Sequence, residues 1–427
     1  MSELMWIGDA IGVFATLVLG YLTYLLLFEP GPSYRVPGSI HGLNDAQRGD
    51  LLSAVLATPW LRISTFRVLD EGRSLYDAEV AAIGRATRSV HLEAYIFRRG
   101  ESADAILAAL CERAAQGVRV RVIVDAIGSL STPANYFARL IAAGGAVYRY
   151  HPVRLATLRR WNNRTHRNLL LVDGETAFIG GAGVADHWSR VQPAPWRDCV
   201  LNVTGPVVAG LQAVFAENWL ECSGELLVDG GAYPASDVAT EAGDVRGLVI
   251  GSTPTAGRST RARILVQLLL ASARESIELC TPYFVPDLGI RRELLAARER
   301  GVRVRIVTGG PYGDHGIVRR AGRRRYGPLL EAGVSIAEYA TRMMHAKVLI
   351  VDQRCVLLGS SNIDHRSFGL NDEVNIVVVS EALAVQLYAA FERDLSNSDL
   401  LDLAGWQRRS LSERILATLG RVTERHQ

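Results

Sequence analysis

The sequence predicts an α/β fold built from two similar domains related by a pseudo-two-fold axis. Each should be a mixed, mainly parallel sheet flanked by helices, with a transmembrane helix ahead of both. Three observations carry this expectation. First, the chain repeats itself: GVRVRVIVDA (117–126) returns as GVRVRIVTGG (301–310), and HRNLLLVDGETAFIGGAGVADH (166–187) returns 179 residues later as HAKVLIVDQRCVLLGSSNIDHR (345–366). Second, continuous Val/Ile/Leu runs alternate in each half with helical stretches such as DAILAALCERAAQG, which a glycine closes. Such runs belong to a sheet covered on both faces, and alternation with helices to a largely parallel one. Third, the stretch from Ala10 to Phe28 is apolar and carries no charge.

In chain order, residues 1–32 read as a membrane anchor with its span at about 10–28. Nineteen residues at about 1.5 Å each cover roughly 28 Å, the thickness of a hydrocarbon core. The residues before it include Glu3 and Asp9 and no basic side chain, which argues for a retained span over a cleaved signal peptide. Arg35 and Arg48 follow it, so the body should lie on the cytoplasmic side of a bacterial inner membrane, crossed once. Residues 59–225 make the first domain and 246–404 the second, separated by a Gly/Ser/Asp/Ala-rich stretch between Cys222 and Val245. Tyr95-Ile96-Phe97 in the first has its counterpart in Tyr283-Phe284-Val285. Residues 405–427 form a basic amphipathic tail, with Leu411, Ile415, Leu419 and Val422 on one face.

Composition narrows the function. With 48% hydrophobic and 21% charged residues the chain is neither disordered nor fibrous, and a net charge of +3 is too small to mark a nucleic-acid binder. Five scattered cysteines form no disulfide framework or zinc knuckle, which suits a reducing compartment. Lys347 is the one lysine among 47 basic residues, and a lysine kept in such a chain sits where arginine cannot replace it. His345 and Lys347 share a strand face, and Asp352 arrives where that strand ends. Gly359-Ser360-Ser361-Asn362 then adds a small-residue turn with neutral donors. A histidine, an ammonium and such donors suit a tetrahedral phosphate diester. Acidic residues do not cluster and histidines are not spaced i, i+4, so neither a metal nor another cofactor is expected. The first half repeats the pattern as His166, Asp173 and Gly180-Gly181.

These motifs resemble those of the phospholipase D superfamily, whose signature is HxK-x4-D followed by Gly-Gly or Gly-Ser and an Asn, once per half. HLEAYIF (91–97), PWRDCVLNVTGP (195–206), TPYFVPD (281–287) and FGLNDEVNIVV (368–378) are similar to the bacterial cardiolipin synthase branch. The resemblance implies a phosphatidyltransferase with His166 as nucleophile and His345 as general acid, then base. Lys347, Ser360, Asn362 and Asn168 would bind phosphate oxygens. Asp198 and Glu373 would orient the histidine of the opposite half, and Asp173 and Asp352 would be structural. The implied substrate is an anionic phospholipid, two phosphatidylglycerols giving cardiolipin and glycerol. A phospholipase D-type hydrolase, a membrane-tethered nuclease and a catalytically weak lipid-binding homologue stand as alternatives. Arginines at 154, 159, 160 and 164 and at 319, 320, 323, 324 and 325 precede the two motifs and favour a lipid surface over nucleic acid.

The first motif departs from the signature. Asn168 replaces its lysine and Gly183 its asparagine, and Arg167 cannot substitute because neighbouring strand residues face opposite sides. Restoring Asn168→Lys is therefore expected to raise activity.

Overall fold

A computed structural model describes residues 9, 12–21, 35–70, 72–154, 160–189, 194–228, 230, 232–233, 245–253, 260–314 and 316–409. Of the expected span at 10–28, residues 12–21 are described, as helix with exposed side chains; the rest, and the tail beyond Arg409, lie outside the described residues. Among the described residues no helix is long and apolar enough to cross a membrane.

The strands of the first half are β1 (Trp60–Arg62), β2 (Thr65–Leu69), β3 (Ser89–Ala94), β4 (Arg119–Asp125), β5 (Ala146–Tyr150), β6 (Arg164–Thr165), β7 (Leu169–Val172), β8 (Thr176–Gly180) and β9 (Val200–Thr204). Those of the second are β10 (Arg246–Ser252), β11 (Ser276–Thr281), β12 (Arg303–Gly309), β13 (Ser335–Tyr339), β14 (Val348–Val351), β15 (Cys355–Gly359), β16 (Asn371–Val379) and β17 (Ser398–Leu400). One sheet runs β2-β9-β8-β7-β3-β4-β5. The other runs β1-β10-β16-β15-β14-β11-β12-β13-β17, with β6 paired to β16. Two strands of the first half, β1 and β6, thus belong to the second sheet.

The two sheets are mixed and flanked by helices, but most of their pairings are antiparallel, which corrects the mainly parallel expectation. Only β3-β4-β5, β11-β12-β13 and the short β6·β16 pair run parallel. Parallel neighbours need a long crossover, and helices Glu101–Ala115 and Leu288–Glu299 supply it between β3 and β4 and between β11 and β12. The strands after each histidine are joined by short turns, so β7·β8 and β14·β15 are hairpins. Their unbroken apolar runs arise because both faces are buried, whatever the strand direction.

Both motif aspartates sit in these turns. Asp173 and Asp352 adopt φ of 55° and 52°. The carboxylate of Asp173 accepts from the amides of Thr87, Arg88 and Ser89, and that of Asp352 from the amides of Arg274, Glu275 and Ser276. Each ties its hairpin to the start of the adjoining strand, at the far end of the strand from the histidine. Burial alone would raise the pKa of Asp173, but its amide partners hold it below the usual value.

Bridges Phe97↔Val184 and Phe284↔Ile363 set the true register of the repeat. Phe97 matches Phe284, so the proposed pairing of Tyr95-Ile96-Phe97 with Tyr283-Phe284-Val285 is one residue out. The aromatic run misled because Tyr283 stands opposite Ile96.

The lobes share a core. Leu169, Leu171, Ile179 and Leu201 of the first sheet pack in one cluster with Val348, Ile350, Leu358 and Ile376 of the second, together with Phe215 and Phe391 from helices Val207–Ser223 and Glu381–Ser396. A separate core lies on the outer side of each sheet. Part of the arginine clusters is taken up by ion pairs. Arg164 is fully buried beside Asp125, Arg160 pairs with Glu221, and Arg319 and Arg323 both clamp Glu338. Arg320 and Arg324 are exposed and have no partner among the described residues.

Candidate active site

Backbone pairing between the lobes builds the site. The amide of His166 donates to the carbonyl of Asp372 at 2.8 Å, where β6 joins β16. In the mirror arrangement, the amide of His345 donates to the carbonyl of Arg197 at 2.6 Å, beside the Arg197↔Met344 bridge. Each histidine therefore lies next to the residue preceding an acid of the opposite lobe. The result is crossed orientation: His166 Nδ1 is 3.1 Å from both carboxylate oxygens of Glu373, and His345 Nδ1 is 2.7 Å from Asp198 Oδ2.

An ionised carboxylate only accepts, so Nδ1 carries the proton in each ring and Nε2 is the nitrogen left for chemistry. Burial would raise the pKa of Asp198, but His345 and Lys347 outweigh it and keep the acid ionised. Burial opposes ionisation of Glu373 likewise, and His166 and Ser360 outweigh it. His345 is pulled below its usual value by burial and then by Lys347, against the pull of Asp198. Burial pushes the Lys347 ammonium from 10.5 down to about 8, although Asp198 and Glu373 resist.

Lys347 Nζ lies 3.1 Å from both ring nitrogens of His345 and donates to its carbonyl at 2.7 Å. Among the described residues the buried side-chain oxygen of Asn362 has no hydrogen-bond partner. Two expected phosphate ligands are committed. Asn168 Nδ2 donates to the carbonyls of Gly181 (3.1 Å) and His166 (3.3 Å), and its Oδ1 accepts from the Tyr95 amide (3.2 Å). Both amide protons are then used on backbone, so Asn168 is a clamp and not a phosphate donor. The Ser360 hydroxyl donates to Glu373 Oε2 and accepts from the Val374 amide, which makes it a support for that carboxylate. Arg167 turns away from the site, bonding Val214 O and Glu217. Residues 166–168 lie between β6 and β7, and His345 and Lys347 lie ahead of β14, so these side chains are not on the strand face the sequence predicts.

Several contributors lay outside the sequence reading. Trp188 donates to Asp198, and the Tyr95 ring meets that of His166 edge-on at 5.3 Å. Tyr283 donates to Asp314, whose charge reaches both His345 and Lys347. Gly181 matters for what it lacks: a Cβ there would lie 2.6 Å from Asp198 Oδ1. Gly181 and Tyr95 are named in the motif and the repeat, but their part beside Asp198 and His166 is not; Trp188 carried no signal beyond aromaticity. Among the described residues, no group of three His, Cys, Asp or Glu side chains is placed to hold a metal ion.

Comparison with known proteins agrees with this geometry. The family model "Cardiolipin synthase, PLD-like domain" matches residues 80–191 and 266–395. The chain is 34% identical over 362 residues to a cardiolipin synthase of Geobacillus kaustophilus, covering 83% of this chain and 71% of that protein. It is 32% identical over 363 residues to one of Alkalihalophilus pseudofirmus (84% and 71%), and 31% identical over 362 residues to a probable cardiolipin synthase of Bacillus subtilis (84% and 71%). Among solved structures, phosphatidylserine synthase of Haemophilus influenzae shares the fold with a TM-score of 0.68 at 14% identity, covering 89% of this chain and all of that one. The duplicated sheets, the crossed histidine–carboxylate pairs and these matches together establish that the chain belongs to the phospholipase D-like cardiolipin synthase family.

Proposed function

We propose that the protein is a cardiolipin synthase, transferring a phosphatidyl group from one phosphatidylglycerol to a hydroxyl of another and releasing glycerol. The observation that carries this reading is the pair of buried imidazoles, each with Nδ1 held by a carboxylate of the other lobe and Nε2 left for chemistry. In the first step His166 Nε2 attacks phosphorus, and the P–O bond to glycerol breaks as His345 gives that oxygen a proton. In the second, His345 takes the proton of the incoming lipid hydroxyl, whose oxygen attacks the phosphohistidine and frees His166. One difficult displacement becomes two easier ones. Lys347 and the Asn362 carboxamide hold the non-bridging oxygens while charge develops on them. A single span at 10–28 would keep this body at the cytoplasmic face of a bacterial inner membrane, beside anionic lipid.

The test is incubation of the full chain with phosphatidylglycerol vesicles and, separately, with plasmid. Cardiolipin and glycerol, intact plasmid, and a phosphorylated His166 trapped during turnover are expected. Phosphatidic acid as sole product would make the enzyme a hydrolase. Nicked plasmid without lipid product would make it a nuclease, and vesicle binding without product a non-catalytic lipid binder.

A further inference from the structure

Asp198 is held by more than His345. The indole Nε1–H of Trp188 donates to Asp198 Oδ2 at 2.9 Å, the same oxygen that His345 Nδ1 approaches at 2.7 Å, while the Cys199 amide donates to Oδ1 at 2.8 Å. Trp188 is 1% exposed, and its ring meets that of His345 edge-on at 5.4 Å. Its backbone is fixed too: a Cβ on Gly72 would lie 1.7 Å from the Trp188 carbonyl oxygen.

The repeat does not copy this contact. The residue 179 positions after Trp188 is Ser367, whose hydroxyl accepts from the Asn362 amide at 3.0 Å, while the Glu373 carboxylate accepts from the Ser360 hydroxyl. The orienting acids of the two lobes thus take their side-chain donors from different positions, Trp188 for Asp198 and Ser360 for Glu373. The donor is long where the acid is Asp and short where it is Glu.

We propose that Trp188 is a positioning residue for the reaction, fixing through Asp198 the tautomer and ring orientation of His345. An indole N–H donates and never accepts, so it keeps Oδ2 a pure acceptor and stops the carboxylate turning away from the imidazole. By sharing the negative charge it also weakens the hold of Asp198 on the imidazolium proton. The charged or titratable groups facing His345 are Asp198, Lys347, Asp314 and His187, and of these Trp188 bonds only Asp198. The inference rests on the reading of His345 as general acid.

The test uses the full chain on phosphatidylglycerol vesicles with Trp188→Phe, which keeps an aromatic ring and removes the donor. The expected fall in kcat is about tenfold to a hundredfold with KM changed less than about twofold, the weight of one hydrogen bond to a charged group. The basic limb of the kcat–pH profile should also move up by roughly half a unit or more, because an unshared carboxylate holds the His345 proton more tightly. Trp196→Phe alters another ring 5.4 Å from His345 and should leave that limb in place. Trp188→Phe added to Asp198→Asn should cost almost nothing further, since the two act as one unit. Should Trp188→Phe not fold, 3-benzothienylalanine at 188 keeps the two-ring shape with sulfur in place of the N–H, and the same losses are expected. Wild-type kcat with an unmoved limb, or full additivity with Asp198→Asn, overturns the proposal. Wild-type turnover by His345→Ala would instead overturn the reading beneath it.

Discussion

Two residues past the histidine, the first lobe carries Asn168, folded back onto three backbone groups, and the second carries Lys347, whose ammonium sits equidistant from the His345 nitrogens. The next matched pairs differ as well. Gly181 leaves room for a short acid that Trp188 supports, whereas Ser360 supports a longer acid through its own hydroxyl. What both lobes keep is the crossed pairing and the hairpin aspartate. The comparison separates two features of the site: each lobe holds one imidazole in place, but where the second lobe sets an ammonium beside its imidazole the first has a carboxamide bonded to backbone.

That division is open to attack, most severely at the histidines. His166→Ala and His345→Ala should each lower turnover by about 10⁴-fold or more, as losing a nucleophile or its proton partner does, measured as cardiolipin formed from labelled phosphatidylglycerol. Equal survival of either variant would break the pairing of roles. Next comes Lys347→Ala, with an expected loss of about 10²–10³ in kcat. Lys347→Arg should not restore it, because a planar fork cannot occupy the place of a compact ammonium. Exchanging the supports gives a smaller effect. Gly181→Ser sets a Cβ against Asp198 and Ser360→Gly strips a donor from Glu373; each should cost roughly tenfold to a hundredfold in kcat. If Gly181→Ser were harmless, the matched sizes of acid and neighbour would be coincidence.

Smaller still is the outcome of restoring the missing lysine. The sequence suggests that Asn168→Lys would raise activity if the site were merely weakened; the backbone hydrogen bonds of Asn168 argue for the opposite outcome. The variant strands the Tyr95 amide that Asn168 Oδ1 now satisfies, a cost of about 1–3 kcal/mol. No gain in turnover and a lower melting temperature are expected, read by a lipid assay and calorimetry on one preparation. The last effect is a pH dependence. Lys347 titrates at about 8 in the folded chain against 10.5 ordinarily, so between those values the unfolded chain binds the extra proton. Stability contributed through this group therefore rises with pH across that window, while turnover falls as the ammonium is lost. Comparing wild type with Lys347→Met isolates the contribution; a difference that is flat across the window would refute it.

The duplication and the two histidines were legible because they lie in runs whose residue types are tied to chemistry; the pairing of Asp198 and Glu373 with the opposite histidines was legible through the family resemblance. Arg167 does turn away from the site as expected, although it lies just ahead of β7 and not on it. Less was legible where a side chain can choose between partners. Asn168 and Ser360 look like phosphate donors as residue types, and only the approach of the Tyr95 and Val374 amides shows where their hydrogen bonds go. Trp188 escaped notice because its match in the repeat is Ser367, a residue of different size and class. Sheet direction is not legible because burial on both faces produces the same apolar runs in either direction, and the sequence did not show that Arg164, Arg319 and Arg323 pair with Asp125 and Glu338.

The strand contact between β6 and β16, with its mirror at Arg197 and Met344, also limits how the enzyme can move. Prising the halves apart like jaws would tear each catalytic ring from its acid and expose the shared interior at once. Any opening that keeps both histidine–carboxylate pairs intact must leave these two pairings closed. Separate halves mixed together would have to recreate them before either imidazole could work.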